Sequence, residues 1–92
     1  MIKSFAHKGL KEFYDTGSTR GIQPEHASKL GRMLDRLDAS TKPQDMNLPG
    51  YRLHMLKGKK QDTWSVTVNG NWRMTFHFEG QDAYLLDYID YH

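Results

Sequence analysis

Thirteen lysines and arginines and five histidines in a chain of 92 residues invite a search for acid–base chemistry beside a negative charge. The candidates gather in the C-terminal half. His54 is followed at short spacing by Lys57, Lys59 and Lys60, and Arg73 and His77 stand four residues apart, on one side of any strand that carries both. The chain closes with Asp90-Tyr91-His92. Histidine, with an ordinary pKa near 6.5, can act as acid or base close to neutrality. Lysine and arginine suit negative charge that builds up in a transition state, and aromatic rings can hold splayed bases by stacking. Together these residue types could cleave RNA. A base would take the proton from a 2′-hydroxyl, an acid would protonate the departing 5′-oxygen, and cations would neutralise the phosphorus centre between them.

Each candidate also has an ordinary reading. His54 alone fits a surface histidine on a strand, and Lys57-Gly58-Lys59-Lys60 fits a solvated turn. Arg73 fits an exposed strand arginine, and the last three residues fit a fraying tail. Other chemistries lack their motifs. His7, His26, His54, His77 and His92 show no HExxH or other dense ligand spacing. There is no cysteine for a disulfide or a thiolate metal site, no glycine-rich phosphate loop and no nucleophile elbow. Neither a metal nor a cofactor is expected.

The elements that must position these residues follow from hydrophobic spacing. Ile2 to Phe5 alternates and predicts a short first strand. Leu10, Phe13 and Tyr14 share a helix face that Gly17 ends, and Ser18 to Gln23 is a loop. Pro24 fits the first turn of a second helix whose Leu30, Met33, Leu34 and Leu37 follow the i, i+3, i+4, i+7 rule, with Ala39-Ser40 at its end. The two helices can pack as a hairpin. Thr41 to Gly50 holds at most one helical turn.

After Gly50 the period changes to two. Strands are predicted over Tyr51 to Lys57, over the run of Trp64, Val66 and Val68, over that of Trp72, Met74, Phe76 and Phe78, and over Ala83 to Asp90. Turns are expected at residues 58–62, at Asn69-Gly70 and at residues 79–82. The architecture implied is α+β, with two N-terminal helices packed on one face of a mostly antiparallel sheet. The opposite face would show Ser65, Thr67, Arg73, Thr75 and His77 to water, as antiparallel sheets often do.

The length admits one domain over residues 1–92. Eleven aromatics and 37% hydrophobic residues are too much apolar material for a disordered chain. The net charge is only +2, so attraction to phosphate would depend on local clusters. The first residues have no apolar run for a signal peptide and no stretch reaches membrane-spanning length, so a cytoplasmic protein without membrane association is expected.

Three segments carry a resemblance. Leu53-His54-Met55-Leu56-Lys57-Gly58, the Val68-Asn69…Trp72-Arg73 segment and the closing Asp90-Tyr91-His92 resemble, in that order, the HigB toxins of the RelE superfamily of toxin–antitoxin systems, and the likeness runs the length of the chain. It implies a compact microbial ribonuclease fold that cleaves messenger RNA in the ribosomal A site, and a helix-turn-helix, HigA-like antitoxin as partner beside the ribosome and the message. It also implies His54 and His92 as the acid and base, Asp90 orienting His92, Lys57 and Arg73 as phosphate-stabilising cations, and Tyr91 positioning or stacking on the substrate. Some relatives carry another arginine before the Trp-Arg pair, where this chain has Asn69. Lys59 or Lys60 could compensate for it, or contact ribosomal RNA. Two other activities stay open: gyrase poisoning, as in the ParE relatives on the same fold, and non-catalytic binding to ribosome or partner through the basic turn.

Overall fold

The computed structural model describes residues 1–56 and 62–90. Helix α1 spans Lys8–Thr16. The ring of His7 caps it, Nδ1 accepting from the Leu10 N–H at 2.9 Å, and Gly17 stops it in the left-handed conformation (φ 81°) with its N–H on the Phe13 carbonyl. A 3-10 turn, Pro24–His26, leads into α2, Ala27–Ala39. The helix expected to begin at Pro24 therefore opens as a tighter turn, a common variant at helix N-termini. Leu30, Met33, Leu34 and Leu37 are fully or almost fully buried. The single turn allowed between Thr41 and Gly50 is a 3-10 helix over Pro43–Met46, which buries Met46.

Four strands follow: β1 His54–Leu56, β2 Thr63–Asn69, β3 Trp72–Glu79 and β4 Asp82–Asp90. They form an antiparallel sheet in chain order. The strand predicted over Tyr51 to Lys57 is shorter than expected. Gly50 (φ 85°) and Arg52 (φ 51°) both take left-handed backbone, which an extended strand cannot include, and Lys57 lies outside the described residues. The strand expected over Ile2 to Phe5 is reduced to two parallel bridges, Ile2 to Ala83 and Phe5 to Leu86. Between them Leu85 (φ 56°) bulges out of β4, its N–H donating to Ser4 Oγ at 2.9 Å.

One face of the sheet meets the helices. Val66, Val68, Met74, Phe76 and Leu86 pack with Leu10 and the α2 leucines in the core, and Trp64, Trp72 and Phe78 close its border. Within it sits a polar cluster. Tyr88, 3% exposed, stacks on Trp72 at 4.5 Å. Its oxygen accepts from the Gln23 N–H at 3.3 Å and lies 2.5 Å from Nδ1 of buried His26. Where the phenol O–H donates to Nδ1, the imidazole proton sits on Nε2.

The opposite face differs from the expectation of a half-solvated surface. Ser65 is 4% exposed, Thr75 6% and His77 9%. The alternation does bring these residues to one side, but Arg52, Leu53, His54, Leu56 and Ile89 wall in Ser65 and Thr75, so that part of the polar face becomes the floor of a cavity.

Candidate active site

That cavity has a volume of about 340 Å³. The register of the ladders explains which residues reach it. His54 on β1 faces Ser65 on β2, which faces Thr75 on β3 and then Asp87 on β4. In the next row Thr67 faces Arg73, which faces Ile89. Side chains alternate between faces along each strand, so both rows project to the same side. His54, Ser65, Thr75, Thr67, Arg73 and Ile89 all line the cavity, with Leu53 and Leu56 as apolar walls. Neighbouring strands lie roughly 4.8 Å apart, so the backbones of β1 and β3 are separated by about 10 Å, a gap that histidine and arginine side chains can close from either side.

The two candidates are held differently. His54 is exposed on the edge strand. Arg73 is half-buried, and its Nη1 donates to the Gly70 carbonyl at 2.7 Å and to its neighbour Trp72's carbonyl at 3.2 Å. The β2–β3 turn thus anchors one end of the guanidinium. That turn is short because Gly70 supplies a positive φ (55°), which a two-residue hairpin loop needs at its first position.

Of the residues that the sequence singles out, His54 and Arg73 come together. Lys57, Lys59, Lys60, Tyr91 and His92 lie outside the described residues. Asp90 sits at the end of β4 opposite Trp72. Alternation places it with Tyr88 on the helix side, whereas its neighbour Ile89 faces the cavity. His77 shares the cavity's face of the sheet one row further along, opposite Thr63. It is buried beside Tyr84, its Nδ1 has no hydrogen-bond partner among the described residues, and its Nε2 lies 3.9 Å from Glu79.

Sequence reasoning missed Arg52, which lines the cavity beside His54. The signal was present: Arg52 and His54 are two residues apart, the spacing that shares a strand face. Arg52 falls inside the strand predicted over Tyr51 to Lys57, whereas it takes a left-handed conformation.

The arrangement puts a titratable imidazole and two guanidinium groups around a hydroxyl-bearing floor. A group of this kind can bind a phosphodiester and move protons at it. Among the described residues no three His, Cys, Asp or Glu side chains are grouped to hold a metal ion, and no helix is long and apolar enough to cross a membrane.

Residues 3–92 match a family described as RelE-like toxin of type II toxin–antitoxin system HigB. The chain is 45% identical over 92 residues to a Proteus vulgaris protein named Endoribonuclease HigB, covering the whole of both chains. It is 31% identical to Toxin HigB-1 of Vibrio cholerae serotype O1, covering 100% of this chain and 98% of that one. An uncharacterized protein of Haemophilus influenzae is 32% identical over 85 residues, covering 90% of this chain and 83% of its own.

Proposed function

The chain belongs to the HigB-like toxins, RelE-like toxins of type II toxin–antitoxin systems, and from that premise we propose that it is an endoribonuclease that cuts messenger RNA on the ribosome. The observation that carries this proposal is that His54 and Arg73, on different strands, line one cavity. The name of the Proteus vulgaris relative supports the same activity.

In the proposed reaction the 2′-oxygen of one nucleotide attacks the adjacent phosphorus as the bond to the 5′-oxygen breaks. One of His54 and His92 removes the 2′-hydroxyl proton and the other protonates the departing oxygen. The products are a 2′,3′-cyclic phosphate and a 5′-hydroxyl, and no metal ion is needed. Arg73 and Lys57 neutralise charge on the non-bridging oxygens. Asp90 orients His92, and Tyr91 stacks on or positions the substrate. Lys59 and Lys60 contact ribosomal RNA. The whole chain acts as one toxin domain in the cytoplasm. Membership of the family implies an antitoxin partner, and we take it to be a helix-turn-helix protein of the HigA kind.

Primer extension on a message under translation tests the proposal, with the wild-type chain beside His54→Ala and His92→Ala. Codon-positioned breaks that require ribosomes and are lost in both variants are the expected result. Absence of breaks with the wild-type chain, despite growth arrest in cells, would refute it and favour gyrase poisoning.

A further inference from the structure

Arg52 holds a backbone conformation that an arginine has no local reason to adopt. Its φ is 51°, in the left-handed region where residues other than Gly, Asn and Asp are disfavoured. Strain of this kind persists where the surroundings impose it, and it clusters at binding sites. Here the surroundings are specific. The ring of Tyr51 packs against the core, and the ammonium of Lys29 on α2 lies over it at 5.9 Å. The Tyr51 carbonyl accepts from the Thr67 N–H at 2.7 Å, tying the segment to β2 in the row that contains Arg73. With Tyr51 pinned and Gly50 turning the chain (φ 85°), the left-handed step places Arg52 at the cavity.

Arg52 is also uncommitted. Its side chain is exposed, and among the described residues it makes no hydrogen bond or ion pair. Arg73, by contrast, has one end of its guanidinium spent on the β2–β3 turn. Across the row the two backbones are about 10 Å apart, and among the described residues the floor between them carries the Thr67 and Ser65 hydroxyls and no carboxylate. An anion entering the cavity would meet a fixed cation on one wall and a free one on the other.

We propose that Arg52 is an RNA-phosphate-binding residue at the mouth of the cavity, a second cation facing Arg73; this rests on the ribonuclease reading above. It contacts the sugar–phosphate backbone through charge-assisted hydrogen bonds and contributes to holding the strand more than to the chemical step.

The test uses the full chain and a 2′-O-methyl RNA oligonucleotide, which keeps the phosphates and removes the attacking hydroxyl. Affinity is measured across a range of salt for wild type, Arg52→Asn and Arg52→Lys, with a thermal melt for each. Asparagine tolerates left-handed backbone, so Arg52→Asn should melt at or above the wild-type temperature. It should bind about tenfold more weakly, with a slope of log affinity against log salt shallower by about 0.7. Arg52→Lys keeps the charge and should keep the slope. An unchanged slope in Arg52→Asn overturns the proposal, as does a sharp drop in its melting temperature with unchanged affinity, which would make Arg52 structural. A wild-type chain that does not bind the oligonucleotide at low salt also overturns it. Ribosome-dependent cleavage lost in His54→Ala is read separately and stands or falls independently.

Discussion

Across the β1–β2 ladder His54 stands opposite Ser65, and that pairing decides which way the imidazole points. A slip of one residue would send it to the far side of the sheet. In this register it hangs over a floor made by Ser65 and Thr75. Because His54 is exposed and sits on an edge strand, His54→Ala should fold and melt like the wild type. If the imidazole transfers a proton, single-turnover cleavage on ribosomes should fall by about 10²–10⁴-fold. A wild-type rate in a folded His54→Ala would remove His54 from the site.

Arg73 makes a second, sharper demand. Its Nη1 is fixed by the Gly70 carbonyl at 2.7 Å, so a guanidinium can be anchored and still offer its other nitrogens to a phosphate. Lysine has one nitrogen and no fork. Arg73→Ala should lose roughly 10²–10³ in cleavage rate, and Arg73→Lys should recover only part of that loss. Equal rates for Arg73→Lys and wild type would show that point charge alone matters there.

The α+β architecture and both helices were legible in the sequence because they rest on periodicity. The i, i+3, i+4, i+7 run through Leu30 and Leu37 and the alternation from Trp64 to Phe78 each admit one burial pattern. His54 and Arg73 were legible as residue types, but their meeting depends on register, and periodicity within one strand does not fix its partner. Two features were not legible. The polar face of the sheet was expected to be solvated, because alternation tells which side a residue takes and not what later folds over it. The other is the left-handed backbone of Arg52, of which the alternation from Tyr51 onward gives no sign.

Gly9 supplies a test of the frame beneath the site. Helix α1 approaches the loop before α2 so closely that a Cβ on Gly9 would lie 2.5 Å from the Gly21 carbonyl oxygen. Both partners are backbone, so no flexible side chain can yield. Gly9→Ala should therefore destabilise the fold by about 1–3 kcal/mol, as overpacking typically does, even though alanine is the better helix former by about 1 kcal/mol. A denaturant titration in which Gly9→Ala is as stable as wild type, or more so, would contradict the close approach.

The last prediction concerns Tyr88, whose phenol joins His26 and Gln23 under the sheet. Burial pushes its pKa above the ordinary value, the charge of Glu25 adds to the rise, and the Gln23 N–H opposes it. A group whose pKa is raised on folding adds stability that is complete below its unfolded pKa, near 10 for tyrosine, and that is lost as pH climbs through the folded value. The wild-type fold should thus weaken above about pH 10. Tyr14, also raised by burial and by Asp38, contributes a decline of the same sign. Tyr88→Phe removes the Tyr88 part and leaves the Nδ1 of His26, a residue 4% exposed, without its partner, at a cost of about 1–3 kcal/mol near neutral pH. The two proteins should therefore differ most near pH 7 and converge in alkali, with Tyr88→Phe showing the shallower decline. Urea titrations from pH 7 to 11 measure both arms. Equal stability at pH 7 together with parallel alkaline declines would show that the phenol and the imidazole do not form the bond that their 2.5 Å separation implies.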